Sequence, residues 1–158
     1  MTSPADHVPA PRTPGPSLQA LVERALDATV TCQAARPAVT LFSQITARGP
    51  AAMRQTAVIL TREALAGADL GTGPKAADAY LLRVGDPLDD LEPGEAAAHR
   101  AVAAYISAGP DCARGRLDLV GDAALPGALR YLFCAALIDR MAPAVLSPVV
   151  EELYAHAA

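Results

Sequence analysis

Apolar residues recur along this chain at spacings of three and four, and glycine or proline interrupts the pattern every ~10 to 20 residues. Such spacing places apolar side chains on one face of an α-helix, and glycine and proline end helices. No segment shows the alternation of apolar and polar residues that a half-buried strand would show. We therefore predict an all-α fold, a single irregular helical bundle of seven or eight helices.

The core of this bundle must be built largely from small side chains. Alanine contributes 36 of the 82 hydrophobic residues, and aromatic residues make up only 4 % of the chain. Small side chains let helices pack closely, whereas strand-rich sandwiches use aromatic and β-branched residues. The excess of alanine, together with arginine as 12 of the 13 basic residues, is typical of a GC-rich bacterial genome.

The N-terminal end differs in composition from the rest of the chain. Five of the first 16 residues are proline, and no apolar run is present there. We predict a disordered proline-rich arm over residues 1–16 and one all-helical domain over residues 17–158. No apolar stretch reaches the roughly 18 residues that a membrane span requires. We therefore expect a cytoplasmic protein without membrane association.

Capping residues predict several helix boundaries. Ser17 is a good N-cap for the first helix, and a second helix is expected from Pro37, in its first turn, to a stop at Gly49. Pro50 then begins the third helix. We expect the last helix to begin at Ser147 and Pro148.

A surplus of apolar side chains favours an interface. The mean hydropathy is +0.23, and extra apolar residues widen the stripes of the third and last helices. The third helix is apolar around much of its circumference and is therefore expected at the centre of the bundle. We predict a non-catalytic interaction module with a regulatory or accessory role, which acts first by self-association as a homodimer and/or by binding a partner protein. The last helix is the best candidate for this interface, and the interface residues would be Val58, Ile59, Val149, Val150, Leu153 and Tyr154.

Charge is distributed unevenly along the chain. The net charge is -4, yet residues 24–62 carry +4 and residues 63–99 carry -6. Complementary patches of this kind can orient self-association or a partner protein, although solvated faces are the simpler interpretation. The acidic stretch 86–95 lacks the ligand spacing of a calcium loop and is interpreted as a connector.

The basic segment also allows a nucleic-acid hypothesis. Two helices joined at Gly49 weakly resemble a helix-turn-helix motif. The second helix has little polar surface, however, and the chain as a whole is acidic, so nucleic acid is a less favoured partner than protein. The residues that would contact phosphates are Arg36, Arg48, Arg54 and Arg62.

Two Glu/His pairs have a spacing of one helical turn and could bind a metal. They are Glu95 with His99 and Glu152 with His156. In helical bundles such pairs from two helices can share an ion, which gives a further alternative, a bundle that binds a small molecule or a metal. Because both pairs lie on or beside polar faces, we expect solvated ion pairs and no cofactor.

The cysteines and the known catalytic motifs give no support for an enzyme. Three cysteines without a CxxC pair do not form a disulfide framework. Cys32 and Cys134 are expected to be buried and Cys112 exposed. The chain has no nucleophile elbow, phosphate-binding loop or HExxH motif. We assign no catalytic residue, and an enzymatic function is disfavoured.

Overall fold

Proline begins most helices of this chain. The computed structural model describes residues 16–65 and 92–156, and these ranges contain seven α-helices and no strand. Six helices have proline at their first or second position, where its missing N–H is not needed. The helices are α1 (Leu18–Cys32), α2 (Arg36–Arg48), α3 (Pro50–Leu65), α4 (Pro93–Ala108), α5 (Pro110–Asp118), α6 (Leu125–Leu137) and α7 (Pro143–Ala155), and a 3₁₀ turn spans Asp122–Ala124.

The predicted all-α fold is confirmed. At the start of α1, the Ser17 hydroxyl accepts a hydrogen bond from the Ala20 N–H at 3.1 Å. The predicted start of the last helix is wrong, because Pro143 occupies its first position and Pro148 lies inside it. The arm up to residue 15 and the acidic stretch up to residue 91 lie outside the described residues.

No single helix in the described ranges is both long and apolar enough to cross a membrane. The segments 110–118 and 122–137 reach that length only as a pair, and the pair is bent by 113°.

Two sharp corners have the same construction. Gly49 ends α2 with φ 100° and ψ 176°, and Gly109 ends α4 with φ 91° and ψ -176°. Each glycine is followed by a proline that begins the next helix. Backbone angles in this region are accessible essentially only to glycine. The two Gly-Pro pairs therefore fix how α3 leaves α2 and how α5 leaves α4.

We expect Gly49→Ala and Gly109→Ala each to destabilise the fold by about 1–3 kcal/mol, because alanine is strained at these angles. No atom lies within 4 Å of a Cβ built at either position, so the effect comes from the backbone alone. Gly115→Ala is the matched control, since Gly115 is exposed inside α5 and alanine there should stabilise by roughly 0.5–1 kcal/mol. Urea unfolding measures all three, and equal stability of the three variants would contradict the assigned strain.

The helices α3 and α6 form the centre of the fold. They pack against each other, and each also contacts four further helices. Phe133 of α6 is fully buried and meets Phe42 edge to face, with ring centroids 5.5 Å apart. The central position of α3 agrees with the prediction from its sequence. The helix is not buried on all sides, however. One face of α3 is not covered by any other described residues, and Val58 and Ile59 lie on it partly exposed.

A close crossing joins α4 to α6. A Cβ built on Gly94 would lie 2.2 Å from the Ala124 carbonyl oxygen and 3.0 Å from the Ala128 nitrogen. The two backbones are therefore nearly in contact at this point. The crossing brings the first turn of α4, with Glu92 and Glu95, next to polar side chains of α6 and α7.

Candidate functional site

The uncovered face of α3 forms one wall of a groove of about 730 Å³, called here the α3–α5 groove. Its residues on α3 recur every three or four positions over about three turns, and residues one turn apart on α5 form the opposite wall. The lining consists of Ala51, Arg54, Gln55, Val58, Ile59 and Arg62 from α3, Tyr105 from α4, and Pro110, Arg114 and Asp118 from α5. The groove is thus a trough between two helices with an apolar floor.

Among the described residues, only weak partners compensate the charges of two of its three arginines. Arg54 donates through Nη2 to Asp122 Oδ1 at 2.7 Å and to the Val120 carbonyl oxygen at 2.8 Å, so its charge is paired. Arg62 instead donates to the neutral Gln19 side chain. Arg114 lies 4.0 Å from Asp111, and both side chains are well exposed, which makes this pair weak. Arg62 and Arg114 therefore outnumber the one carboxylate of the lining, that of Asp118, and give the groove a cationic rim.

The predicted interface residues separate into two groups. Val58 and Ile59 lie in the α3–α5 groove. Val149 and Leu153 are only 1 % and 2 % exposed, because α7 packs its apolar stripe against α2 and α6 of the same chain. These two residues belong to the core, and assigning them to an interface was wrong. The other two side chains of that stripe, Val150 and Tyr154, are partly buried.

The four arginines of the nucleic-acid hypothesis do not share one surface. Arg36 lines a cleft between α1 and α2. Arg48 is at the other end of α2, roughly 18 Å along the helix axis. Only Arg54 and Arg62 lie together, in the α3–α5 groove, and Arg54 is already paired with Asp122. These four arginines therefore do not form the continuous basic face that phosphate binding needs.

A polar cluster lies between α4, α6 and α7, and it corrects the expectation of solvated pairs. His99 is 1 % exposed, and its Nδ1 is 2.8 Å from the Tyr131 hydroxyl. Glu95 accepts a hydrogen bond from the Tyr154 hydroxyl at 3.3 Å. His99 lies three residues before the buried Val102, so the same helical spacing that predicts the core also indicated its burial.

The proposed metal ligands do not meet. Glu152 lies 3.5 Å from the Ala35 N–H just before α2, and His156 lines a different pocket between α2, α6 and α7. Nowhere in the described ranges do three or more His, Cys, Asp or Glu side chains converge as they would around a metal ion. Glu95, His99, Glu152 and His156 therefore do not form the shared site that their spacing allowed.

The sequence analysis did not identify Arg130. The signal available in the sequence was that Arg130 is the only charged residue of the otherwise apolar α6. Its side chain is 12 % exposed, and its guanidinium lies 4.4 Å from the Tyr154 ring centroid. Its Nη2 is 3.4 Å from Glu92 Oε2. Its Nε is buried and has no hydrogen-bond partner among the described residues.

Burial keeps two neighbouring groups protonated. It raises the pKa of the Cys134 thiol to about 12, an effect that Arg130 opposes and Glu95 reinforces. It also raises the pKa of Tyr154 to about 12, with Cys134 and Glu95 adding to the shift. Both pKa values exceed those of the unfolded chain. The stabilisation that comes from keeping these two groups protonated is therefore complete below about pH 9 and is lost as pH rises toward 12.

We expect two thiols of the folded chain, those of Cys32 and Cys112, to react rapidly with 5,5'-dithiobis(2-nitrobenzoate) at about pH 8. Both are exposed, and the reagent reacts with the thiolate form. Cys112 is exposed as predicted, whereas Cys32 is exposed and its predicted burial is wrong. Cys134 should react at least ~100-fold more slowly, since its pKa is raised. Cys112→Ser should leave one fast thiol, and unfolding should expose the slow one. Cys134 is only partly buried, where full burial was predicted, and three fast thiols in the folded chain would contradict its protection.

Comparison of the chain with protein-family models, with curated proteins and with solved structures finds no match. The grooves, pockets and side-chain contacts described above are therefore the basis for proposing a function.

Proposed function

We propose that this chain is a non-catalytic binding module whose α3–α5 groove receives an acidic amphipathic helix of a partner protein. The observation that carries the proposal is the combination of an apolar floor at Val58 and Ile59 with a cationic rim at Arg62 and Arg114. An amphipathic helix buries its apolar stripe in such a groove. Carboxylates beside that stripe would pair with the two arginines and select the orientation of the helix.

The shape of the groove supports a helical occupant. Its walls are two helices, and the α3 wall continues for about three turns, which is roughly 16 Å. A third helix lying in this trough would pack side chains between those of both walls, as helices do in a bundle core. It would cover the face of α3 that the described part of the chain, residues 16–65 and 92–156, leaves open.

A partner protein fits the groove better than a second copy of this chain. In a two-fold symmetric dimer through the groove, the lining of one copy would face the same lining of the other, in which three arginines stand against the single carboxylate of Asp118. The excess of positive charge on both copies would then disfavour the pairing. A homodimer was expected to form through α7, but Val149 and Leu153 of this helix are buried in the core of the chain itself. We therefore propose a partner of different sequence.

The cytoplasm is the proposed compartment. Cys32 and Cys112 are exposed free thiols, and such thiols persist in a reducing environment.

The test is selection from a displayed library of helical peptides about 16 residues long, which matches the α3 wall. Each peptide carries a fixed apolar stripe, and its flanking positions vary between Glu and Lys. We expect the wild-type chain to enrich Glu at the flanking positions. The double variant Arg62→Glu/Arg114→Glu should enrich Lys instead and bind the acidic peptides at least ~10-fold more weakly.

The matched control is the double variant Arg36→Glu/Arg48→Glu, which makes the same change of net charge outside the groove. It should select the same acidic peptides as the wild-type chain. The proposal is contradicted if no peptide is enriched, or if both double variants weaken binding equally, because the attraction would then depend on net charge alone.

A further inference from the structure

A second pocket lies between α2, α6 and α7, and none of its lining residues belongs to the α3–α5 groove. It has a volume of about 550 Å³, which is in the range of small-molecule sites. Its walls are mainly apolar, and its polar groups are few. We call it the α2–α7 pocket, and it is lined by Val39, Phe42, Ser43, Thr46, Ala47, Pro126, Leu129, Arg130, Leu153 and His156.

Arg130 is the distinctive polar group of this pocket. Its side chain is largely buried, yet its Nε donates to no acceptor among the described residues. Buried donors in native proteins almost always have an acceptor, because an unpaired one costs free energy. The guanidinium is held in place against the Tyr154 ring by a cation–π contact. The guanidinium thus contacts Glu92 and Tyr154, neither of which lines the pocket, while its Nε lacks an acceptor among the described residues.

We propose that the α2–α7 pocket binds a small amphipathic carboxylate, with its carboxylate on Arg130 and its apolar body against Phe42 and Leu129. A guanidinium and a carboxylate form short, charge-assisted hydrogen bonds. The apolar walls would hold a chain or ring, as in most small-molecule sites. Ser43 and Thr46 offer hydroxyl groups that can contact the rest of the ligand.

Glu92 is the internal competitor for Arg130. Its carboxylate is 3.4 Å from Nη2, a long contact, and its side chain is 68 % exposed. Such a pair is weak, so a ligand carboxylate can displace it. Glu95 is engaged with the Tyr154 hydroxyl instead. Removing the charge of Glu92 should therefore favour the ligand.

The test is isothermal titration calorimetry of the whole chain with octanoate as the probe and 1-octanol as its neutral counterpart. We expect saturable binding of octanoate, with 1-octanol weaker by roughly 10- to 100-fold, which is the effect of a lost charge-assisted hydrogen bond. Arg130→Gln should weaken octanoate by a similar factor. Glu92→Gln should tighten it. Arg116→Gln removes an exposed arginine outside the pocket and should change nothing.

A blocking variant keeps the proposal testable if Arg130→Gln fails to fold. Ala47 is exposed at the edge of the pocket, so Ala47→Trp should close the entrance and abolish octanoate binding while Arg130 stays intact. The double variant Arg62→Glu/Arg114→Glu should bind octanoate normally, which separates this pocket from the α3–α5 groove. The proposal is overturned if octanoate does not bind at about 10 mM, a concentration well above a weak Kd of about 1 mM. It is also overturned if 1-octanol binds as well as octanoate, or if Ala47→Trp does not change octanoate binding.

Discussion

Gly94→Ala is expected to destabilise the fold by about 3 kcal/mol and to lower Tm by roughly 10 °C. The added Cβ would lie 2.2 Å from the Ala124 carbonyl oxygen and 3.0 Å from the Ala128 nitrogen. Both are backbone atoms, so no side chain can move aside to make room. The helices α4 and α6 would have to separate, and the packing of α4 against the central helix would be lost.

Gly127→Ala is the matched control at the same crossing. A Cβ there would meet no atom closer than 3.8 Å, from Glu92 Oε2, which is an ordinary contact. Alanine also favours the helix over glycine by roughly 0.5–1 kcal/mol. We therefore expect this variant to be at least as stable as the parent chain. Thermal unfolding followed by circular dichroism measures both, and equal loss in the two variants would show that the close approach at Gly94 is not the cause.

Phe133→Ala should destabilise the fold by about 3–5 kcal/mol, whereas Ile59→Ala should cost only about 1 kcal/mol. Phe133 is fully buried in α6 and loses both its packing and its edge-to-face contact with Phe42. Ile59 is also a large apolar residue on a central helix, but it is partly exposed on the floor of the α3–α5 groove.

Urea unfolding of the two variants gives the comparison as a difference in the free energy of unfolding. The contrast matters for function, because an apolar side chain that contributes little to stability is available for a partner. A loss for Ile59→Ala as large as that for Phe133→Ala would place Ile59 in the core and remove the apolar floor of the groove.

The helix boundaries could be predicted from sequence because they depend on local chemistry. The hydroxyl of Ser17 caps α1 through a neighbour three residues away, and Gly49 ends α2 through its own backbone angles. The wrong prediction for the start of α7 also has a local cause. Pro143 and Pro148 each suit the first turn of a helix, and only Pro143 occupies it.

The functional surfaces could not be predicted in the same way. Helical spacing identifies an apolar face but does not reveal what covers it, so the stripe at Val149 and the face at Ile59 carried the same signal. Packing of α7 on α6 buries Val149, whereas Ile59 remains in an open groove. The environment of Arg130 depends on residues from three helices that are distant in sequence, and no local pattern encodes such a meeting.

The most direct test of the partner groove is methyl NMR of the isotope-labelled chain, titrated with the acidic peptide that selection enriches. We expect the methyl resonances of Val58 and Ile59 to shift with peptide concentration, while those of Val39 in the α2–α7 pocket stay unchanged. Binding of the peptide without shifts at Val58 and Ile59, or with the largest shifts at Val39, would contradict the assignment of the α3–α5 groove as the site of partner binding.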